Sequence, residues 1–477
     1  MKIPKQYKDL ILQLNQAGYD GYFVGGCVRD LLLDREPKDW DITTNAHPEK
    51  ILEVFPDSKY ENVFGTVLVK IKDSKGETKE VVEITTYRSE QGYSDRRHPD
   101  QIVFEDSLEK DLARRDFTIN AMAMDAQGKI TDIFGGGKDL GKKIIRTVGE
   151  PIDRFKEDAL RMMRAIRFVC QLDFKLEPKT ARGILKMSGS IKFIAKERLQ
   201  DELVKILQSN HPDLGIRMLH EHKLLQYLIP ELELGVGMQQ NHHHIYSVFE
   251  HSVLALKYCP SPKWQVRFAA LLHDIAKPKT RRIIGGAATF YNHEYVGAKM
   301  TEKIMERLRF SREDTEQIVN LVKNHMFYYN VGEVTASSVR RLIVKVGEEN
   351  LKDLIDLRIA DRLGSGTPKA KPYKLRHLEY MMDKVRNDPI SVKMLKINGD
   401  DLMKELQLQP GPKIGAILDV LLGEVIEDPE LNSREHLLKR SQELDESDLE
   451  TLRTQAKEAI EEQRQADDLE IKKEYHV

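Results

Sequence analysis

The sequence YFVGGCVRD at residues 22–30, followed by KDWDI at residues 38–42, decides the fold of this chain. The first stretch begins apolar and extended, then breaks at a glycine pair, where the missing Cβ lets the backbone approach a ligand closely. Residues 28–33 predict a helix directly after this turn, with Arg29 in its first turn. Backbone amides at such a turn bind anions, and a guanidinium adds paired donors for phosphate oxygens. The stretch therefore predicts a phosphate site that includes Gly26 and Arg29.

Two carboxylates follow this turn at Asp39 and Asp41. Residues two apart in a strand point to the same face, so the pattern predicts two carboxylates side by side. Two such anions repel unless a cation lies between them, and hard oxygen ligands suit Mg²⁺. Either motif alone fits a tight turn and a solvated acidic strand end equally well. Their order and close spacing favour a site for phosphate and metal.

A second charged set lies in the segment 154–170. Asp158 and Arg161 are three residues apart, and Arg164 and Arg167 continue the series. This spacing predicts one face of a single helix. The alternative is an exposed face on which Asp158 and Arg161 pair with each other. Three arginines with a single acid repel one another unless they bind an anion, which favours a binding face.

These motifs together resemble those of the class II tRNA nucleotidyltransferases, or CCA-adding enzymes. The motifs are G-G-C-V-R-D with D-W-D, R-R-D at 114–116, and E-D-x-x-R at 157–161. These enzymes belong to the tRNA nucleotidyltransferase/poly(A) polymerase family of the DNA polymerase β-like superfamily. The resemblance spans roughly residues 21–438 and implies that tRNA, CTP and ATP are the partners. It implies that Asp39 and Asp41 are catalytic and hold two Mg²⁺ ions. It further implies a nucleotide-binding set made of Gly26, Arg29, Arg115, Asp158, Arg161, Arg164 and Arg167.

The choice of base follows from the chemistry of Asp158 and Arg161. A carboxylate accepts from an exocyclic amine, and a guanidinium donates to the neighbouring ring nitrogen. Cytosine and adenine both offer an amine beside a ring acceptor, whereas uracil and guanine present the reverse order. One such pair therefore accepts C and A and refuses U and G without a template. Each mismatched contact costs on the order of 1–3 kcal/mol.

A set of histidines and aspartates occupies apolar helical segments in the second half of the chain. Its members are His251, His273, Asp274, His293, His325 and Asp361. A single histidine in an apolar helix is more often a packed core residue, but this set suits a divalent metal inside a helix bundle. Its order resembles that of the HD phosphohydrolase domain. The resemblance implies four ligands, His251, His273, Asp274 and Asp361, and matches His293 and His325 to further positions seen in active members. Imidazole and carboxylate ligands favour Ni²⁺, Mn²⁺ or Co²⁺, and Lys277, Lys279 and Arg281 are candidates for binding phosphate.

Other segments predict the frame around these residues. Residues 66–71 and 80–87 alternate and are rich in β-branched residues, so they predict strands. Glu83 is either a third carboxylate beside the metal or an exposed strand residue. The polar segment 88–99 predicts a mobile basic loop, which the resemblance links to addition of the terminal A. The glycine-rich segment 130–141 predicts a turn that closes the sheet.

Composition limits the possible classes of protein. The 477 residues suffice for about three domains. The 75 basic and 77 acidic residues give a net charge of −2, so any nucleic-acid surface must gather its basic charge locally. Three scattered cysteines argue against a disulfide framework. No apolar segment predicts a signal peptide or membrane span, so we expect a cytoplasmic protein without a membrane partner. The sequence leaves the oligomeric state open.

The expected fold is α+β, with a small N-terminal mixed-sheet nucleotidyltransferase head followed by an all-α body that contains an HD domain. The expected domains are a head at 1–150, a helical nucleotide- and RNA-binding neck at 151–235, an HD domain at 236–390, a tRNA-binding helical region at 391–440 and a charged helical tail at 441–477. The expected function is addition of CCA, or part of it, to tRNA by two-metal nucleotidyl transfer, with a possible phosphohydrolase activity in the HD domain. The alternatives are a poly(A) polymerase and an HD phosphohydrolase with a secondary RNA-binding head. A non-catalytic RNA-binding protein would not require Asp39 and Asp41.

Overall fold

The computed structural model describes residues 3–62, 65–72, 75–91, 101–240, 245–284, 287–327, 330, 334–367, 369–385 and 391–455. The chain separates into two compact units, Met1–Pro230 and Glu231–Val477. No helix among the described residues combines the length and the apolar character that crossing a membrane requires.

The first unit carries a mixed sheet with helices. Its strands are β1 (Tyr22–Val24), β2 (Asp41–Thr44), β3 (Lys59–Asn62), β4 (Thr66–Lys72), β5 (Thr78–Thr86), β6 (Arg88–Gln91), β7 (Gln101–Phe104), β8 (Ala123–Met124), β9 (Ile130–Thr131), β10 (Ile144–Ile145) and β11 (Lys175–Leu176). Its helices are α1 (Lys5–Gln16), α2 (Gly26–Leu32), α3 (Pro48–Val54), α4 (Leu108–Ala113), α5 (Gly136–Lys142), α6 (Pro151–Glu157), α7 (Arg161–Leu172), α8 (Pro178–Met187), α9 (Lys196–Leu207), α10 (Pro212–Glu221) and α11 (Leu225–Leu228). Short 3₁₀ helices cover Thr118–Asn120 and Ser188–Phe193.

The main sheet has the strand order β3-β4-β5-β2-β1-β8-β9. Strands β2 and β5 pair in parallel, and the other neighbours pair antiparallel. In β4 the alternation predicted from the sequence places Val67, Val69 and Ile71 in the core. The mixed-sheet head is therefore confirmed, and the strand directions bring the starts of β2 and α2 to the same edge.

Aromatic packing fixes the segment that leads into β2. The ring of Trp40 stacks on that of Tyr7 from α1 at 4.2 Å between centroids, and it meets Phe23 of β1 edge-on at 5.1 Å. Burying an aromatic side chain of this kind stabilises the fold by roughly 1.5–3 kcal/mol. Because Trp40 is anchored in the core, its neighbours Asp39 and Asp41 are held at the sheet edge.

The structure corrects the prediction of a single helix for the segment 154–170. Helix α6 ends at Glu157 and α7 begins at Arg161, with Asp158 in extended conformation between them. One carboxylate oxygen of Asp158 accepts from the backbone amide of Leu160 at 3.0 Å. This local bond competes with helix continuation, as aspartate often does at helix starts. Asp158 therefore does not share a helix face with the arginines that follow it.

Two further predictions differ from the structure. The glycine-rich segment expected to form a turn contains β9 and the helix α5, whose first amides, of Gly136 and Gly137, donate to the Asp132 carboxylate at 2.7 and 2.9 Å. The segment 88–99 begins with the strand β6, which pairs antiparallel with β7, rather than with a loop. Residues 92–100, which hold most of the predicted basic loop, lie outside the described residues.

The second unit is helical apart from one hairpin among its described residues. Its elements are α12 (Pro230–Glu233, at the boundary), α13 (Val248–Tyr258), α14 (Trp264–Leu272), α15 (Lys277–Thr280), β12 (Arg282–Ile284), β13 (Ala287–Thr289), α16 (His293–Arg307), α17 (Arg312–Lys323), α18 (Ala336–Val346), α19 (Leu351–Gly364), α20 (Tyr373–Val385), α21 (Gly399–Glu405), α22 (Pro412–Glu427) and α23 (Arg434–Asp445). Short 3₁₀ helices cover Glu348–Asn350, Val392–Met394 and Pro429–Leu431. Helices α21–α23 share one apolar cluster, which also buries Leu452.

Candidate active site and candidate metal centre

The glycine turn after β1 lies against two charged side chains. Gly25 has φ +76° and ψ −132°, a conformation that residues with a side chain rarely adopt. A Cβ at this position would lie 3.0 Å from Nη1 of Arg115 and 3.4 Å from Oδ2 of Asp41. The turn, the candidate metal ligand and the candidate nucleotide-binding arginine therefore meet at one point.

The carboxylates lie at the start of β2, but they are not both in the strand. Asp41 is the first residue of β2, whereas Asp39 lies in a bend before it and is exposed. The predicted reason for their proximity, a shared strand face, is therefore wrong. Burial raises the pKa of Asp41, the charge of Asp39 raises it further, and Arg115 opposes both effects. The two anions thus lie within electrostatic reach of each other.

Glu83 joins these carboxylates through the sheet. It is the parallel register partner of Asp41 on β5, and its side chain is exposed. Although the residue is exposed, partial desolvation of its carboxylate raises the pKa of Glu83, and the negative charges of Asp41, Glu61 and Asp39 raise it further. Oxygen donors whose ionisation is opposed by neighbouring anions fit a hard divalent cation such as Mg²⁺.

Each candidate phosphate-binding arginine is held by a polar partner from another part of the chain. Arg29 donates to the side-chain oxygen of Asn120 at 2.8 Å, and its guanidinium also pairs with Asp30. Arg164 binds Asp116 at 2.6 Å, and Arg167 binds Glu202 at 2.7 Å. The prediction of three arginines with a single acid is therefore wrong, because the fold supplies an acid for each. These pairs fix the direction of every guanidinium.

One ring lies among three of these arginines. The guanidinium carbons of Arg29, Arg164 and Arg167 lie 5.2, 5.6 and 4.2 Å from the ring centroid of Phe168. An aromatic face attracts cations within about 6 Å of its centroid. Phe168 itself is buried against Phe117. The ring therefore brings guanidinium groups from α2 and α7 together, each with its own acidic partner.

Two buried aspartates hold the R-R-D segment. Asp111 binds Arg114 at 2.8 Å and Arg115 at 3.5 Å. Burial alone would raise the pKa of Asp111, but these two arginines outweigh it and lower the pKa. Burial would also raise the pKa of Asp116, but the charges of Arg164 and Arg161 outweigh it and lower the pKa to about 2. Both aspartates are therefore permanent counter-ions at neutral pH.

Asp158 and Arg161 are close in sequence but have different partners. Asp158 pairs with Arg198 of α9, whose two terminal nitrogens lie 2.7 and 3.3 Å from its carboxylate oxygens. Arg161 pairs with Glu157 at 2.6 Å and donates to the carbonyl of Arg114 at 3.0 Å. The structure therefore orients each group separately instead of pairing them with each other.

A cavity of about 270 Å³ is lined by most of the residues predicted to bind the nucleotide. It is lined by Arg114, Arg115, Asp116, Asp158, Leu160, Arg161, Arg164 and Arg198. Five arginines and two aspartates leave an excess of positive charge, which suits an anionic ligand.

The histidines and aspartates predicted to bind a metal converge in the second unit. His251 Nε2 lies 3.0 Å from His273 Nε2, and it lies 3.2 Å from Asp274 Oδ2 and 3.3 Å from Asp361 Oδ1. On the other side of Asp274, Oδ1 lies 3.3 Å from His293 Nε2. Two possible ligand groups result, His251–His273–Asp274 and Asp274–His293–His325, and they share Asp274. Either group offers three ligand atoms for a divalent metal, and Asp274 would take part in both.

Hydrogen bonds at the outer nitrogens orient the histidine rings. The Nδ1 atoms of His273, His293 and His325 lie 2.9, 2.9 and 2.7 Å from the backbone carbonyls of Ala270, Phe290 and Val322. A carbonyl accepts only, so each Nδ1 carries a proton and each Nε2 points inward, where it offers a lone pair once it is deprotonated. His293 Nε2 and His325 Nε2 are 3.2 Å apart. Facing lone pairs at such distances require a proton or a cation between them, so the donor set fits a metal.

The electrostatics of this centre also suit a cation. Burial lowers the pKa of His273, but Asp274 and Asp361 outweigh it and raise the pKa to about 10. Lys277, one of the residues predicted to bind phosphate, is buried and pairs with Asp274 Oδ2 at 2.8 Å. Lys279 and Arg281 are exposed.

Known proteins resemble this chain over nearly its whole length. Over 444 residues the chain is 32% identical to the CCA-adding enzyme of Enterococcus faecalis, which covers 91% of this chain and 96% of that protein. The CCA-adding enzyme of Ligilactobacillus salivarius is 34% identical over 451 residues, covering 93% and 98%. The chain belongs to the CCA-adding enzyme family. The crystal structure of the Bacillus stearothermophilus CCA-adding enzyme in complex with CTP is 28% identical, with a TM-score of 0.71 and coverage of 94% of this chain and 98% of that one.

Three family models match separate parts of this CCA-adding family member. They are the poly A polymerase head domain at residues 21–146, the probable RNA and SrmB-binding site of polymerase A at 173–234, and the HD domain at 241–365. The expected head, helical RNA-binding part and HD domain are therefore confirmed as components, while their exact boundaries stay predictions. Helix α20 lies beyond all three matches.

Several residues of the site were not identified from the sequence. Arg198 and Asp111 are ordinary charged positions on helices, and the acid–arginine pairs that they form join residues 40 and 3 apart along the chain. Asp111 carried one usable signal, a buried helix face three residues before an arginine. Phe168 had no signal, because its role depends on the side chain of Arg29 from α2 reaching its ring, a contact between distant parts of the sequence.

Proposed function

We propose that this chain adds CCA, or part of it, to the 3′ ends of tRNA from CTP and ATP without a nucleic-acid template. The observation that carries the proposal is the meeting of the Gly25 turn, Asp41 and Arg115 at one edge of the sheet, beside the cavity that Asp158 lines. Similarity to CCA-adding enzymes over nearly the whole chain supports it.

In this reaction the 3′-hydroxyl of the RNA attacks the α-phosphate of the nucleotide, and pyrophosphate leaves. Asp39 and Asp41 would hold Mg²⁺, which when bound activates the attacking hydroxyl and stabilises charge on the leaving oxygens. Amides at the start of α2 and the guanidinium of Arg29 bind the triphosphate. Arg115 lies between Asp111 and Asp41, so its second charge partner can become the incoming phosphate.

The base is selected by Asp158 and Arg161 through the amine and ring acceptor shared by cytosine and adenine. Arg198 holds the Asp158 carboxylate by two bonds, which fixes the direction of its remaining lone pairs. A carboxylate fixed in this way rejects the carbonyl oxygen of uracil at the same position. The site therefore accepts two of the four bases with protein groups alone.

The test uses three tRNA transcripts that end before CCA, after the first C and after the second C. Each is incubated with labelled CTP, with labelled ATP, or with both. We expect C addition to the first two transcripts and A addition to the third, with UTP and GTP refused. A poly(A) polymerase would instead extend all three with many A residues and ignore CTP, which would overturn the proposal.

We further propose that the second unit hydrolyses phosphate monoesters or 2′,3′-cyclic phosphates at RNA ends. The specific observation in favour is the pair of ligand groups that share Asp274, with Nε2 lone pairs directed inward. A transition metal bound there would supply a hydroxide nucleophile near neutral pH. Lys277 beside Asp274 provides a cation for the phosphate oxygens.

This second activity is tested by hydrolysis of a 2′,3′-cyclic nucleotide with Ni²⁺, Mn²⁺, Co²⁺ or Mg²⁺. We expect turnover with a transition metal and little with Mg²⁺ alone, because imidazole ligands suit the former. Absence of turnover with every metal would reduce the centre to a structural role.

A further inference from the structure

Helix α20 carries an exposed aromatic stripe, defined here as Tyr373, His377, Tyr380 and Lys384. At 3.6 residues per turn these four positions fall within about 60° of one another around the helix axis. The opposite face buries Leu375, Leu378, Met382 and Val385, and the helix packs against α18. The stripe therefore points away from the core that holds the helix.

The two tyrosine rings of the stripe present open faces, and the ring of His377 is half-buried between them. Tyr373 and Tyr380 are 64% and 63% exposed, which is more than any other tyrosine or phenylalanine among the described residues. The ring of His377 lies between them, 6.4 Å from Tyr373 and 6.5 Å from Tyr380, and each pair of planes is tilted by 47°. At this distance and tilt the rings do not cover one another, so their faces remain free to stack on planar groups of a ligand.

Positive charge surrounds the stripe. The segment from Lys369 to Val385 has five basic and two acidic residues, a net charge of +3 with His377 neutral, in a chain whose net charge is −2. Lys384 lies within the stripe, and Arg376 lies beside it at one helical step from His377. Of the two acids, Glu379 pairs with Lys371 at 2.7 Å, away from the stripe. An anionic partner with planar groups is thus complementary in both charge and shape.

We propose that the aromatic stripe binds unpaired nucleotides of the tRNA substrate by stacking, at a place separate from the nucleotide-addition site. Aromatic rings interleaved with cations are the usual means by which proteins hold single-stranded or looped RNA, since every base has a face to stack and every nucleotide a phosphate. A paired stem offers no such faces, and an acidic peptide would not need two exposed rings. The proposal rests on the proposed function for the identity of the RNA.

The experiment measures binding and addition separately. Binding of a tRNA transcript that lacks CCA is followed by fluorescence anisotropy for the full chain and for Tyr373→Ala/Tyr380→Ala. We expect binding to weaken by about tenfold or more, because stacking is worth on the order of 1–3 kcal/mol per base. The KM for tRNA should rise accordingly, while the KM for CTP and kcat at saturating tRNA stay as in the parent.

Three comparison variants make the test specific. Tyr373→Phe/Tyr380→Phe keeps the stacking faces and should bind tRNA like the parent. Tyr258→Ala removes a tyrosine that is 42% exposed and also lies beside a lysine, Lys257, so it controls for loss of an exposed ring. Lys384→Gln should lower the salt dependence of binding by about one phosphate contact, a change that the tyrosine variants should not show.

The outcomes separate this proposal from the proposed function. If the double alanine variant binds tRNA with the affinity of the parent, the proposal that the stripe stacks on RNA is overturned. A stripe that binds a protein partner instead would give this result. Loss of affinity in the double phenylalanine variant or in Tyr258→Ala would also overturn stacking at this place. A parent that binds tRNA but adds no nucleotide would contradict the proposed function. The binding measurement would still test the stripe, because it does not depend on nucleotide addition. Alanine favours helix at exposed positions, and thermal unfolding of each variant verifies its fold.

Discussion

Among single residues, Asp158, which we propose to read the base, has a carboxylate that is fixed from two directions. The amide of Leu160 holds one oxygen at 3.0 Å, and Arg198 reaches the other at 2.7 Å. A side chain held by three hydrogen bonds keeps one rotamer, which a specificity group needs. Arg198 is thus a positioning residue for Asp158, and it acts on the base only through that carboxylate.

We predict that Asp158→Ala loses its preference for CTP over UTP by about tenfold to a hundredfold, on the basis of 1–3 kcal/mol per lost contact. The affinity for the triphosphate should change less, because in our proposal Arg29 and the α2 turn, and not Asp158, bind the phosphates. Arg198→Lys, which keeps the charge but loses the paired bonds, should fall between Asp158→Ala and the parent. The measurement is kcat/KM for each nucleotide on a transcript ending before CCA. If the preference survives in Asp158→Ala, Asp158 does not read the base.

Asp116 makes a separate prediction about pH. Its folded-state pKa of about 2 lies below the ordinary value of 3.8, so its ionised form stabilises the fold at neutral pH. This contribution, on the order of 2 kcal/mol, is fully present above about pH 4 and disappears as the pH falls toward 2. Urea unfolding, followed by a probe in the first unit, should show a lower free energy of unfolding for Asp116→Asn than for the parent at pH 7. This difference should become smaller at pH 3. A difference in the free energy of unfolding that is the same at both pH values would contradict the lowered pKa of Asp116.

Among the structural elements, the β1–turn–α2 unit brings the site together. Its strand places Val24 opposite Asp41, and its turn exposes the backbone to the space beside Arg115. The turn works because Gly25 has no side chain and adopts a positive φ. The close approach to Arg115 and the positive φ can be separated by experiment, because Gly18, which precedes β1, has a positive φ but no atom within 4 Å of an added Cβ.

We predict that Gly25→Ala lowers the rate of nucleotide addition at least tenfold and raises the KM for CTP. The new Cβ would lie 3.0 Å from Nη1 of Arg115 and would displace that guanidinium. Gly18→Ala is the matched control, because Gly18 has φ +87° and no atom within 4 Å of the added Cβ. Both variants should lose about 1–3 kcal/mol of stability from backbone strain. Equal activity in the two variants would show that strain alone, and not the approach to Arg115, matters at Gly25.

The elements also show how far the sequence could predict this structure. The glycine turn, the alternating strand β4 and the order of the histidines predicted to bind a metal were readable because each depends on local spacing or on a residue type with few uses. The break at Asp158 was missed because helical spacing continues across it, while the carboxylate bonds the backbone of Leu160 instead. The partners Glu202 and Arg198 were missed because pairing across helices depends on tertiary packing, which leaves no periodic signal.

In the whole molecule, two compact units carry two candidate centres of different chemistry. The first unit offers carboxylate oxygens at a sheet edge, which suit Mg²⁺, and the second offers imidazole nitrogens inside a bundle, which suit transition metals. The candidate ligands of the histidine-rich centre all come from the second unit. Each activity should therefore be removable without loss of the other.

We predict a double dissociation between Asp41→Asn and Asp274→Asn. Asp41→Asn keeps the side-chain shape but removes a charge on the proposed Mg²⁺ ligand, so CCA addition should fall by at least a thousandfold while hydrolysis of a 2′,3′-cyclic nucleotide continues. Asp274→Asn removes the carboxylate shared by both histidine groups, so hydrolysis should cease while addition continues. Asp57→Asn, an exposed carboxylate in the first unit, is the control and should affect neither activity.

Metal exchange tests the same division without mutation. Treatment with a chelator followed by Mg²⁺ alone should restore addition, and restoring hydrolysis should require Ni²⁺, Mn²⁺ or Co²⁺, because imidazole-rich sites bind these ions far more tightly than Mg²⁺. Transition metal should also raise the thermal unfolding temperature of the parent but not that of Asp274→Asn, since a ligand that binds the folded state stabilises it. This second measurement reads metal binding even if the true substrate of the centre differs from the one assayed. An identical temperature shift in the parent and in Asp274→Asn would mean that the metal binds elsewhere.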